Sequence, residues 1–388
     1  MSLPPPDPFG SESAAGGGGV PPQWAPQQSA GPGGSVPGGQ APWGSQEQWA
    51  GGLAPSSGGG KAKWVLGGLA VVLAIALAVV VTVLVVKPDT GTPAGPLNAG
   101  GDSSASEFAS ANDTGPISII TEDPSCAAWI PINNTFSDSS KNGWLNRDPS
   151  IPVGAWSSEQ RKQYEEVGQA MRAAADQTEA LVKLTTHRVM RQLYEQFIVY
   201  ARAYAEAVPS YTPRDDALAR AASLASRSLS GICQAISFGS AAARAPLVSE
   251  GAAPSSAVQS GDLANPKRFL TSPDPVCPDW KAADDQFLAE VADWLKTSPD
   301  TSAAQRSPEE KALNEAAIPV MRESADRLEE LGRRSDNQVL EDFAILAAQY
   351  RRAYAQAIPT YTSADKHLYD ASVFTVGVVI QACNAAAG

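Results

Sequence analysis

The chain has 388 residues, 43% of them hydrophobic, and its 41 acidic against 29 basic side chains leave a net charge of −12. That length allows two ordinary domains, and the acidic balance argues against nucleic acid and against electrostatic adhesion to anionic headgroups. Four cysteines and two histidines leave little material for a His-dependent nucleophile or a zinc site.

Residues 1–63 are rich in Gly, Pro, Ser, Gln and Ala, with runs such as Gly16–Gly19 and Gly31–Gly34. Such a stretch buries too little apolar surface to offset the entropy of ordering it, and it reads as a disordered tail. Its tryptophans, Trp24, Trp43 and Trp49, are its candidate contacts for a partner. Trp64 to Val86 follow without a single charge. A run beyond about 18 residues is long enough to cross the hydrocarbon as a helix, and it is too long and too far along the chain for a signal peptide. Lys61 and Lys63 flank its N-terminal side, so the positive-inside rule places the tail in the cytoplasm and the rest of the chain beyond the membrane. Residues 87–121 read as a flexible stalk.

The outer part repeats itself at an offset of about 150 residues. Asp123–Trp129 (DPSCAAW) matches Asp274–Trp280 (DPVCPDW), and Met171-Arg172 with Asp176 matches Met321-Arg322 with Asp326. The most similar pair is YAEAVPSYT, Tyr204–Thr212, and YAQAIPTYT, Tyr354–Thr362. Apolar positions step by three and four, as in Met190, Leu193, Phe197, Tyr200 and Tyr204, which gives each helix one buried stripe and excludes strand alternation. Ser157 with Gln160 and Ser307 with Glu310 have capping-box spacing. In the first copy the spacing predicts long helices near 157–185, 187–208 and 213–237. Ile130–Gly143 (IPINNTFSDSSKNG) breaks the pattern and is expected to be a loop, whereas Asp279–Lys296 of the second copy is expected to be helical. Pro319 inside the second copy predicts a kink.

The expected fold is therefore all-α: one transmembrane helix (64–86) and two homologous antiparallel bundles, 122–237 and 274–388, joined by a linker over 238–273. Each copy holds one cysteine at its N-terminal edge and one in its last helix. The symmetry of the repeat selects Cys126–Cys233 and Cys277–Cys383 as structural disulfides, suited to an oxidising compartment.

Chemistry is sparse in this pattern. His187 and His367 do not correspond between the copies, no glycine-rich phosphate loop follows a strand, and no cofactor or metal is expected. Glu165, Glu166, Asp176, Glu179, Asp215 and Asp216 read as solvated helix faces. In the recurring nine-residue element every position has a folding task. Tyr204 and Tyr354 continue a buried stripe, Pro209 and Pro359 end the helix by moving the preceding residue out of helical geometry, and Thr212 and Thr362 cap the next helix. Tyr211 and Tyr361 pack over the corner. The four tyrosines are also the candidate contacts of a ligand or partner, since aromatic rings at a helical corner suit amphipathic molecules.

The GGGG, PPQW and APWG tail, the anchor and the paired cysteines together resemble the Pro/Gly-rich single-pass membrane proteins of mycobacteria and related actinobacteria. The resemblance implies a cell-envelope location, with no defined activity and no site residues to carry over. The expected function is a non-enzymatic, membrane-anchored scaffold contacting an envelope protein partner. The alternative is a domain that binds or senses a lipid or small molecule through a tyrosine-lined helical groove.

Overall fold

In the computed structural model, residues 108–251, 253 and 266–387 are described. The tail, the apolar run 64–86, most of the stalk and the middle of the linker lie outside these residues. Among the described residues all regular structure is helical: α1 (Cys126–Ser140), α2 (Ser158–Leu184), α3 (Arg188–Ala207), α4 (Asp216–Ser237), α5 (Ser240–Arg244), α6 (Cys277–Glu290), α7 (Pro308–Arg334), α8 (Gln338–Ala357) and α9 (Lys366–Ala386).

The long helices form where the apolar spacing and the caps require. Ser157 Oγ accepts from Gln160 N at 3.1 Å while Gln160 Oε1 accepts from Ser157 N at 2.9 Å, and Ser307 with Glu310 does the same for α7. Two orphan donors at each helix start are thereby satisfied. Helix α7 is continuous through Pro319.

Helix α1 departs from expectation, because it runs through the stretch read as a loop and contains Pro131. Its buried residues Cys126, Trp129, Ile132 and Phe136 lie on one face at helical spacing, separated by weak helix formers such as Asn133, Asn134 and Asp138. An interior proline costs about 3 kcal/mol. Burying one large apolar side chain contributes about 1.5–3 kcal/mol, so Trp129, Ile132 and Phe136 together outweigh it. The disulfide at Cys126 holds the first turn, and Trp129 Nε1 donates to Ser230 Oγ on α4 at 3.1 Å.

Cys126 bonds Cys233 and Cys277 bonds Cys383, with Cα separations of 5.3 and 5.8 Å. Each bond ties the first helix of its set (α1–α4 or α6–α9) to the last. The two sets share one continuous apolar core. Their most extensive contact is between α4 and α9, which run antiparallel: Ser228 meets Thr375 at 2.6 Å, and a Cβ on Gly231 would lie 2.7 Å from Ala371 N. Only glycine permits that approach of two backbones. The span Ser363–Ala386 is long and apolar enough to cross a membrane by composition, but 78% of its 18-residue apolar window is buried inside the protein.

Two expected flexible segments are partly built in. Phe108, Ile117, Ile119 and Ile120 of the expected stalk are buried in the core, and Ile120 N donates to the Tyr350 hydroxyl at 3.3 Å. The start of the expected linker forms α5, whose Arg244 pairs with Asp365 at 2.9 Å.

Candidate functional site

The recurring nine-residue element joins α3 to α4 and α8 to α9. Tyr204 is buried at the end of α3, and its hydroxyl accepts from Trp144 Nε1 at 2.8 Å. Contrary to expectation, the proline does not push its predecessor out of helical geometry. Val208 has φ −48° and ψ −46°, and the chain leaves the helix only at Tyr211, with ψ 132°. Pro209 sits early in a tight 3-10 turn over Val208–Ser210, where a missing N–H is tolerated. Pro359 occupies the same place in the turn Ile358–Thr360.

Tyr211 and Tyr361 brace the segments before α2 and α7. Tyr211 donates its hydroxyl to Pro149 O at 2.9 Å and its carbonyl accepts from Val153 N at 3.0 Å. Tyr361 repeats both bonds, to Pro299 O at 2.6 Å and from Ala303 N at 2.9 Å. Thr212 and Thr362 meet Asp215 and Asp365, whose carboxylates accept from the threonine N–H at 2.7 and 2.8 Å. All four tyrosine rings are at most 1% exposed. Burial raises the phenols of Tyr204, Tyr211, Tyr354 and Tyr361 above the ordinary tyrosine pKa. These rings are core, not a groove lining.

Beside the first corner lies a shallow hollow of about 150 Å³ between α2 and α3. Gly168, Ala205, Val208 and Pro209 line it together with Glu165, Gln169 and Arg172. A Cβ on Gly168 would come within 3.2 Å of Val208 Cγ2, so the valine would have to give by a few tenths of an ångström. In the second set the corresponding positions hold Ile318 and Pro319, and Ile318 packs on the core. The recurrence is therefore broken at this surface.

Asp176 and Glu179 lie on a solvated face as expected, held by Arg202 at 2.6 and 2.5 Å, and Arg352 binds Asp326 and Glu329 in the same way. Asp216 does not. It is buried, bound by Arg147 at 2.5 Å and by Arg220, while the Arg147 guanidinium stacks 3.5 Å from the Trp144 ring centre. Asp123 and Asp274, which flank the cysteines, accept from Thr185 Oγ1 and Ser335 Oγ at 2.5 and 2.7 Å and pin those edges to the ends of α2 and α7. The shared Asp-Pro of the two motifs was the available signal.

The least expected group lies between α3 and α8. Arg188 Nε and Nη2 reach Asp342 Oδ2 and Oδ1 at 2.9 and 3.2 Å, and Gln192 Nε2 donates to the same carboxylate at 2.7 Å. Nη1 of Arg188 also donates to Asp113 O at 2.7 Å, which holds the incoming segment down. Nothing in the repeat pattern signals this pair, because Arg188 corresponds to Gln338 and Asp342 to Gln192. Among the described residues no three His, Cys, Asp or Glu side chains converge as a metal site, and His187 meets the Glu122 carbonyl at 2.9 Å.

The family model described as Mycobacterial ESX-1 associated protein matches residues 108–388. The chain belongs to this family. An uncharacterized protein of Mycolicibacterium smegmatis (strain MKD8) is 47% identical over 343 residues, covering 88% of this chain and 91% of its own. No solved structure matches. The family match covers the whole helical body and starts at Phe108, the first described residue.

Proposed function

We propose that this member of the ESX-1 associated family is a non-enzymatic scaffold serving secretion-related assembly at the mycobacterial envelope. In this reading residues 64–86 anchor it, the tail lies in the cytoplasm, and the helical body, built by tandem duplication, meets a protein partner outside. The family match over the body carries the reading. The hollow beside Gly168 supports a protein contact, because at the corresponding position the second set carries the Ile318 side chain packed on its core.

The test is deletion of the M. smegmatis relative. Loss of ESX-1-dependent export, restored by this chain and not by a chain lacking residues 64–86, is expected. Unchanged export after deletion would refute the role. Protease protection of the body in intact spheroplasts would overturn the topology.

A further inference from the structure

The core of the second helix set holds a polar group that the first lacks. Arg351 of α8 is buried, with Nε donating to Ser372 Oγ on α9 at 3.2 Å and Nη1 to Ser324 Oγ on α7 at 2.5 Å. Its guanidinium lies 4.1 Å from the ring centre of Phe287 on α6, and Nη2 has no hydrogen-bond partner. Asp284 of α6 is 5% exposed, and its Oδ1 also lacks a partner. The Arg351 charge acts on Asp284, yet no direct ion pair joins them. At the corresponding positions the first set has Ala174, Ala201, Ala222 and, for Asp284, Asn133. Asn133 Oδ1 has the Ser226 hydroxyl as its donor at 2.5 Å. One set thus has an amide whose oxygen is satisfied where the other keeps a buried carboxyl with an unmet oxygen.

A buried carboxyl of this kind favours its neutral form, and desolvation pushes Asp284 up to about 6 against the pull of Arg351. The neighbouring groups do not cancel the effect. On α6 itself Asp285 opposes ionisation and Lys281, paired to Asp285 at 2.8 Å, favours it. Helix α7 offers the Ser324 hydroxyl, which accepts from Arg351 Nη1, and Arg334, which binds Asp279 at 2.7 Å near the start of α6. Helix α9 contributes Tyr369, which acts on Arg351.

We propose that Asp284 is a proton-dependent catch: neutral, it seats α6 on α7 and α9, and ionised, it lets the C-terminal part of α6 open. The Cys277–Cys383 bond keeps the start of the helix attached. Opening uncovers Phe287 and the Arg351 guanidinium, an apolar and cationic surface hidden in the closed form.

Hydrogen exchange on the full chain, corrected for intrinsic amide chemistry, tests this at residues 284–290. A carboxyl moving from 3.8 when open to about 6 when closed gives an opening constant that rises about tenfold between pH 5 and 7.5. Residues 133–140 of α1 are the internal control and show no such rise. In Asp284→Asn the rise at α6 disappears. A flat α6 profile in the wild type, an equal rise in α1, or a rise that survives in Asp284→Asn each overturns the proposal. Should the variant fail to fold, the wild-type comparison of α6 with α1 decides alone.

Discussion

Replacing Arg188 with methionine removes the cation that ties α3 to α8. Both partners are buried, with side chains 2% and 1% exposed. In the variant Asp342 keeps the Gln192 amide at 2.7 Å but loses both guanidinium contacts, and the Asp113 carbonyl loses its 2.7 Å donor. An uncompensated buried charge costs about 3–5 kcal/mol, and methionine fills much of the arginine stem's volume, so little of that loss comes from a cavity. Chemical denaturation followed by far-ultraviolet circular dichroism reads the loss, and amides near 113–120 should lose exchange protection with it. The double variant Arg188→Met, Asp342→Leu removes both charges and should recover to within about 1–2 kcal/mol of the wild type. A single variant that loses less than about 1 kcal/mol, or a double variant that costs the sum of the two singles, would refute the reasoning.

Gly231→Ala places a Cβ 2.7 Å from Ala371 N and 3.1 Å from its Cα, where only separation of α4 and α9 relieves the clash. It should cost about 1–3 kcal/mol in a thermal melt despite alanine's better helix propensity. Gly154→Ala, with nothing within 4 Å, should change stability by less than about 0.5 kcal/mol. All nine tyrosines are buried, and burial raises the phenols of Tyr194, Tyr200, Tyr204, Tyr211 and Tyr350 among them. Because the native state holds these protons more tightly, their contribution is complete below about pH 10 and is lost as pH rises through the native values. Phenolate absorbance should therefore stay low until it rises together with loss of helix, and an early rise at intact helicity would contradict the burial. Replacing Cys126 and Cys233 by alanine opens a loop of sequence separation 107 and should cost about 4–5 kcal/mol, measured by denaturant midpoint.

Much of the candidate site was legible, because its parts are local or repeat. Thr212 with Asp215 and Ser157 with Gln160 lie within one turn, so their spacing alone implies the hydrogen bonds. Asp216 shows the limit: its neighbours in sequence mark it as a solvated helix residue, and only Arg147, far along the chain, makes it buried. Helix α1 is illegible in the sequence for a related reason. Polar residues between its apolar positions hide the stripe until α4 is present to cover it.

By itself the sequence determined the helical phase of α2–α4 and α7–α9, the capping boxes at Ser157 and Ser307, the offset between the two sets and, through that offset, the partners of the four cysteines. These depend on period and local hydrogen bonding, which a single strand of text carries. Tertiary structure alone decided that the two sets share one core through Gly231 and Ala371, that Arg188 meets Asp342, and that residues 108–121 are held in place. Those outcomes rest on the match of two surfaces and on the desolvation of charges. Both depend on residues from 75 to 230 positions apart and on which side chains water is removed from when the helices meet.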